Sequence, residues 1–332
     1  MIQYLIILLD DTSTSYCHYQ NDREKLKLIS LEDLKAGIFF AMKNNLMIQY
    51  VLPDYELPKE YKEVMNSIDS HLIVPSTCED KNAVETADVI ILKDWIELSH
   101  WNFDEAQTYV LRTSKQDFFD HHPMLNDIFA KVSRLNVMFK DVESFTDCDI
   151  ETYKYALEEL CTPIIKEYKQ GHSVQLNLLT DRMMLKKMNN CGAGDSNITL
   201  APDGKFYVCP AYYYDGVCDG SEISLGDICH KGYSIGSLVE GLDIKNALLY
   251  KLDHAPLCRN CDAYQCKRCI WMNRRMTFEV NTPSHEQCVM AHIERNVSRK
   301  LLADIRELGT FLPEQEIKEN DYLDPFDVKE EW

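Results

Sequence analysis

Apolar residues in the first half of the chain come in short runs, separated by stretches in which they recur every three or four positions. The runs Tyr4–Leu9, Met47–Leu52, Leu72–Val74, Val89–Leu92, Leu135–Phe139 and Val174–Leu178 predict strands. The stretches Leu31–Lys43, Pro58–Ile68, Phe103–Phe119 and Ile150–Tyr168 predict helices. Strands alternating with helices in this way make a parallel sheet with right-handed crossovers. Chemistry in such folds gathers in the loops beyond the carboxyl ends of the strands, so the loop from Asp10 to Tyr19 is one place to expect a site.

Beyond residue 185 the organising feature is cysteine. Cys191 opens the stretch, Cys209 follows Gly204, and then come Cys258-x-x-Cys261-x-x-x-x-Cys266-x-x-Cys269 and finally Cys288. Thiols two residues apart in a turn converge on one ion or cluster, and an immediate repeat of that spacing is a strong metal signal. Only four residues separate Cys261 from Cys266, whereas the paired knuckles of a zinc ribbon usually stand about fifteen or more apart. Cys258, Cys261 and Cys266 therefore read as the close-set run that wraps an iron–sulfur cubane, which leaves Cys269 to reach elsewhere. Zinc filling the Cys258 group is the alternative.

The residues around these thiols sharpen that reading. Lys267, Arg268, Arg274 and Arg275 crowd the last knuckle; cations steady an anionic cluster and raise its potential, and the plainer reading is a solvated basic turn. Ser284 and Gln287 have the spacing of a capping box, which puts Cys288 in the first turn of a helix running to about Leu308. His285 and His292 on that helix are near enough to donate to the cluster's thiolates, with a surface position the plainer reading. Tyr212, Tyr213 and Tyr214 either line a peptide groove or pack over the cluster. Cys78, Cys148 and Cys161 stand singly and read as small core hydrophobes.

Composition excludes some classes of function. With 332 residues, 45% of them hydrophobic, the chain buries one large core or two modest ones. A formal charge of −19 argues against nucleic acid and favours a neutral or basic peptide partner. Asp10 and Asp11 cut short the first apolar run, which is too brief for a signal peptide or a membrane span, so a cytoplasmic protein with no membrane partner is expected. There the thirteen cysteines stay reduced and available to metal. The acidic tail from Pro313 to Trp332 is expected to lie over the surface or to be partly disordered.

From Cys191 to Cys288 the chain resembles a SPASM domain, the auxiliary-cluster module of radical S-adenosylmethionine enzymes that modify peptides. Cys191, Gly204 to Cys209, the Cys258 to Cys269 group and Cys288 follow that family's order, with one residue fewer in each of the final two gaps. The resemblance implies one [4Fe-4S] cluster on Cys258, Cys261, Cys266 and Cys288. It implies a second on Cys191, Cys209 and Cys269, completed by Cys218 or Cys229 or left with an open iron. It also implies an α/β fold: a partial (β/α)6 barrel over residues 1–185, a small cysteine-rich SPASM-like domain with a C-terminal helix over 186–310, and an acidic tail over 311–332.

Radical S-adenosylmethionine enzymes carry Cys-x-x-x-Cys-x-x-Cys in the loop after the first strand. Aligned on Tyr16-Cys17, the two earlier positions here are Asp10 and Thr14. Hydroxyls and hard carboxylates suit iron–sulfur chemistry badly. Pro53-Asp54-Tyr55-Glu56-Leu57-Pro58 stands where the family has a glycine-rich segment. Binding of S-adenosylmethionine is thus in doubt, and Cys17 remains as the single candidate ligand of a degenerate site.

Over nearly the full length the chain is similar to CXXX repeat peptide maturases. Leu9 to Tyr19, the Cys258 to Cys269 group and Asn281 to Cys288 carry that similarity. It implies a maturation component for a ribosomally made Cys-x-x-x repeat precursor peptide, working with a separate, intact radical S-adenosylmethionine enzyme. The alternatives are a stand-alone radical enzyme with a divergent site and a zinc-stabilised, non-catalytic peptide-binding protein.

Overall fold

The computed structural model describes residues 2–215 and 233–309. In chain order the first elements are β1 (Tyr4–Leu8), α1 (Leu31–Asn44), β2 (Met47–Val51), α2 (Lys59–Met65), β3 (Ser70–Pro75) and α3 (Lys81–Glu85). Then come β4 (Val89–Leu92), α4 (Trp95–His100), β5 (Thr108–Thr113), α5 (Lys115–His121), α6 (Leu125–Ile128), β6 (Arg134–Phe139) and α7 (Asp147–Lys169). The remainder comprises β7 (Gln175–Leu176), α8 (Asp181–Met184), β8 (Asn197–Leu200), β9 (Lys205–Tyr207), α9 (Pro210–Tyr214), β10 (Ser234–Ser237), β11 (Gly241–Leu242), α10 (Ile270–Thr277) and α11 (His285–Glu307). Among the described residues, no helix is long and apolar enough to cross a membrane.

The chain forms two compact units, and each takes residues from both sides of position 185. The first comprises Met1–Ser15, Tyr19–Val89 and Gly192–Lys251; the second comprises Tyr16–His18, Ile90–Cys191 and Leu252–Trp332.

In the first unit β1 lies between β2 and β8, parallel to both, and β3 continues the parallel set beside β2. On the far side β8, β9, β10 and β11 pair antiparallel in succession. Leu5, Ile7 and Leu8 of β1 are fully buried, as expected for a strand covered on both faces. α1 starts where Ser30 accepts a hydrogen bond from the Asp33 amide (3.0 Å) and stops at Asn45 in the left-handed conformation (φ 54°). It approaches the sheet closely enough that a Cβ on Gly37 would run into the end of the Leu200 side chain. A larger residue there requires the Leu200 side chain to move.

In the second unit β5, β6 and β7 pair in parallel. α7 is set by a complete capping box between Thr146 and Asp149. Its apolar face, Tyr153, Leu157 and Leu160, is buried. Tyr153 meets Phe118, Phe139 and Phe145 with ring centroids 5.5–5.8 Å apart, separations typical of favourable aromatic pairs. α11 packs on α7, and the Tyr153 hydroxyl donates to Glu294 at 2.7 Å.

All six predicted strands form, the last of them as only the two residues of β7. The predicted helix Phe103–Phe119 is a correction: a turn near Asp104, the strand β5 and the start of α5 occupy it. The cause is local. Thr108-Tyr109-Val110 favours an extended chain, and Ser114 caps a new helix through the Asp117 amide (3.1 Å). With β5 included, β1 to β6 supply six β/α repeats in which each strand is followed by a helix. The predicted acidic tail lies outside the described residues.

Candidate metal centre

Four of the predicted thiols line one cavity. Cys258, Cys261, Cys266 and Cys288 share the walls of a space of about 250 Å3, together with Met188, Arg268 and His292. Local backbone turns create this convergence. The Cys258 amide donates to Ala255 O (3.0 Å), the Cys261 amide to Cys258 O (3.0 Å) and the Cys266 amide to Ala263 O (3.0 Å). The same turns aim amides at sulfur: Ala263 N lies 3.4 Å from Cys261 Sγ, and Arg268 N lies 3.4 Å from Cys266 Sγ. Such N–H groups are what a thiolate in a cluster site accepts.

Cys288 comes from the first turn of α11, which starts where Ser284 Oγ accepts from the Gln287 amide at 3.3 Å. The return half of the predicted capping box is replaced. Gln287 Oε1 instead accepts from the Cys269 amide (2.7 Å), and its Nε2 donates to Asn273 (2.8 Å). One glutamine side chain thereby ties the helix bearing Cys288 to the knuckle bearing Cys269.

The electrostatics fit thiols gathered for a cation. Burial holds the Cys266 thiol well above its ordinary value; the Arg268 amide works against this, and negative charge on Cys288, Cys258 or Cys261 adds to it. Its three neighbours thus oppose the ionisation of Cys266, and a bound cationic centre would remove that conflict as protons leave. Among the described residues, no three His, Cys, Asp or Glu side chains stand close enough together to hold one bare metal ion. Tetrahedral zinc would need its sulfurs within about 2.3 Å of the metal. The cavity is several times the volume of a water molecule, so thiol chemistry and room together fit a polynuclear group better than a single ion.

A second set of thiols lies in the same unit. Asn189 N donates to Tyr264 O (2.8 Å) and Cys191 N to Lys267 O (2.8 Å), so this segment runs alongside the knuckle. Cys269 sits at the start of α10, where the Trp271 and Met272 amides favour its thiolate while burial and the charges of Cys191 and Cys17 disfavour it. Cys17, which belongs to this unit, is pushed up to about 12 by burial and then by Cys191, while Arg112 and Lys267 pull it down. Cys191 and Cys269 thus belong to the same unit, and the charge of Cys191 acts on Cys269. Cys209 belongs to the first unit, at the start of α9. Cys218 and Cys229 lie outside the described residues.

The loop after β1 holds its other two aligned positions differently. Asp10 is fully buried. It accepts from the Thr12 amide (2.8 Å), the Thr12 hydroxyl (2.6 Å) and the Tyr55 hydroxyl (3.0 Å). Thr14 donates to Asp54 (3.2 Å). Asp54 and Tyr55 come from the segment that replaces the glycine-rich one. Both oxygen side chains are therefore engaged within their own unit.

Several expectations about neighbouring residues change. Tyr212, Tyr213 and Tyr214 are buried. Arg23 stacks over Tyr213 (4.1 Å to the centroid), donates to Tyr213 O (2.6 Å) and pairs with Asp11 (3.5 Å). The tyrosines form a packed wall and not an open groove. Arg268 is 1% exposed and bonds Asn190 (2.8 Å), so the basic turn is solvated at Arg275 but not at Arg268. His292 is buried, with Nε2 3.6 Å from Cys261 Sγ. Its position four residues after Cys288 was the signal, because that spacing stacks side chains on one helix face. Glu294 escaped sequence reasoning. It accepts from Tyr153 and from Gln265 Nε2 (3.2 Å), and burial raises its carboxyl to about 7. Cys78 is buried, Cys161 partly buried and Cys148 exposed; none of them lines the cavity described above.

No family model matches the sequence, and no curated protein does. Solved structures do match the fold. One is anSMEcpe, a radical S-adenosylmethionine anaerobic sulfatase maturase, with bound AdoMet: TM-score 0.57 at 11% identity, covering 94% of this chain and 98% of that one. The same protein with bound AdoMet and the Kp18Cys peptide matches with TM-score 0.56 at 11% identity, over 92% and 99% of the two chains. With the Cp18Cys peptide the values are 0.55, 10%, 92% and 100%. The fold is thus an α/β fold of the radical S-adenosylmethionine and SPASM type.

Proposed function

We propose that this chain is an iron–sulfur component of peptide maturation. In this reading it receives a Cys-x-x-x repeat precursor peptide and acts with a separate, intact radical S-adenosylmethionine enzyme. The observation that carries it is the cavity walled by Cys258, Cys261, Cys266 and Cys288, with backbone amides directed at two of the four sulfurs. The engaged oxygens of Asp10 and Thr14 support the part of the reading that leaves radical initiation to another protein. A peptide as partner is supported by anSMEcpe, whose fold is similar and which is described with bound peptides.

Cys258, Cys261, Cys266 and Cys288 would hold one [4Fe-4S] cluster, and Cys191 and Cys269 would belong to a second centre. Such a cluster supplies a one-electron relay, or an iron that takes a thiolate from a cysteine-rich substrate. The chain's own residues do the rest. Ala263 N and Arg268 N bond the sulfurs, His292 stands beside Cys261 as a further donor, and Met188, Leu257 and Pro283 wall the cavity. The charge of −19 draws in a neutral or basic precursor and repels an acidic one.

The test is anaerobic purification followed by iron, sulfide and zinc analysis and electron paramagnetic resonance, with and without S-adenosylmethionine. A synthetic Cys-x-x-x repeat peptide and the partner enzyme are then added. Iron with matching sulfide, no S-adenosylmethionine cleavage by the isolated chain and altered products from the partner are expected. Stoichiometric zinc without sulfide would instead make this a zinc-stabilised binding protein. Cleavage by the isolated chain, lost in Cys17→Ala, would make it a stand-alone radical enzyme.

A further inference from the structure

We infer that the cavity at the carboxyl ends of β6 and β7 is a pocket for a lysine side chain of the precursor peptide, with three acceptors placed for its ammonium group. This rests on the peptide reading above and deepens it by naming a residue that the peptide must carry.

The strands make the space. β7 pairs with β6 only through Gln175 and Leu176. One residue on, the Asn177 side chain takes over from the backbone: it accepts from Val137 N (2.8 Å) and donates to Val137 O (2.9 Å). There the ladder stops, and a cavity of about 70 Å3 lies beside the strand ends. Val137, Phe139, Leu178 and Met290 give it apolar walls, and its volume suits the end of one side chain. His18, Met138 and Lys267 in its wall are partly exposed, so a ligand can reach it. Cys266 and Gln287 wall both this cavity and the thiol cavity, so a residue held here sits beside that centre.

The polar atoms offered are acceptors. Gln265 is 3% exposed, and its Nε2 donates to Ala291 O (2.7 Å) and Glu294 Oε2 (3.2 Å). Turning the amide over would set its oxygen against those two acceptors, so its orientation is fixed. Gln265 Oε1 is left buried with no hydrogen-bond partner, which costs free energy until a donor arrives. His18 Nδ1 faces Phe139 O at 2.9 Å. A carbonyl oxygen only accepts, so Nδ1 carries the hydrogen and the neutral ring offers Nε2 as an acceptor. Glu294 is the third; its two oxygens accept from Tyr153 and Gln265, and a carboxylate has lone pairs left for more.

Charge selects among the ligands that could satisfy these acceptors. Lys267 has a counter-ion in Asp181 (3.9 Å), whereas Glu294 has none among the described residues. Burial raises the Glu294 carboxyl to about 7 and the charge of Asp181 adds to this; a cation beside it relieves both. A lysine brings three ammonium donors on a flexible apolar stem, which match the acceptors and the apolar walls. A guanidinium holds five donors in a rigid plane and would leave some of them unpaired.

The experiment titrates fluorescein-labelled synthetic peptides of Cys-x-x-x repeats into the full-length, anaerobically purified protein, read by fluorescence anisotropy. Lysine is placed at the first, second or third x, and matched peptides carry arginine, acetyl-lysine or norleucine there. At one of these positions lysine should bind about tenfold tighter than each matched control. Arginine keeps the net charge, so general attraction to an acidic protein drops out of that comparison. Glu294→Gln should remove the preference for lysine. If that variant fails to fold, the wild-type comparison with acetyl-lysine decides, because acetylation keeps the stem and removes the charge.

Equal affinity for lysine and its controls at every position overturns the pocket and leaves the peptide reading standing. So does tighter binding of norleucine, or a lysine preference that persists in Glu294→Gln. A wild type that binds none of the peptides ends both.

Discussion

The Cys258–Cys288 cavity and the loop after β1 both offer several donor side chains in a confined space, yet their local bonding is opposite. In the cavity, hydrogen bonds run from the backbone toward the donor atoms: Ala263 N reaches Cys261 and Arg268 N reaches Cys266. In the loop, Asp10 and Thr14 are consumed by bonds within the protein, to Thr12, Tyr55 and Asp54. In the cavity the backbone supports the sulfurs from behind. A loop that has become structure satisfies its donors internally. The residue types alone would not separate these cases; the direction of the hydrogen bonds does.

Cys266→Ala attacks the comparison hardest. Cys266 lies in the cavity wall with an amide at its sulfur, so its loss should remove the whole iron–sulfur signal of that centre, read by iron, sulfide and electron paramagnetic resonance. A retained signal would mean that the cavity is packing and not a site.

The two regions also differ in their buried carboxyl groups, and pH sharpens that difference. Glu294 titrates near 7 in the folded protein because of burial, above the ordinary 4.5. Between those pH values the native state keeps a proton that the unfolded chain has lost. Stability contributed by the protonated group is complete below about 4.5 and falls as pH rises toward 7, by roughly 3 kcal/mol. Urea unfolding of wild type and Glu294→Gln at pH 5 and pH 8 should show the wild type losing that much more than the variant. The other titrating groups cancel in the difference. Asp181, which also opposes Glu294 ionisation, stays in both proteins.

The smallest effect concerns the loop. Asp10→Ala strands the Thr12 amide and hydroxyl and the Tyr55 hydroxyl, and should cost about 2 kcal/mol in urea unfolding with iron content unchanged. Loss of iron without loss of stability would make Asp10 part of a metal site and erase the contrast.

What was legible in the sequence follows from how locally each feature is determined. The Cys258, Cys261, Cys266 and Cys288 grouping could be read because few arrangements other than metal binding explain two knuckles in so short a span. The parallel strands could be read because strands such as β1 and β2 are nearly continuous apolar runs. β5 could not, because Phe103, Ala106, Val110, Leu111 and Phe118 mimic a helical stripe across two elements; Ser114 followed by Asp117 was the boundary mark. His292 and Glu294 depend on how α11 packs against α7 and the thiol turns, which no window of sequence contains.

The turn from Cys266 to Cys269 presents its first sulfur to the cavity and sets its last beside Cys191. Three residues span at most about 10 Å between their Cα atoms, well inside the range over which an electron tunnels without help. Two centres sharing this turn would behave as one redox unit: adding an electron at either end would make the next harder to add at the other. Their midpoint potentials would then have to be measured as a coupled pair.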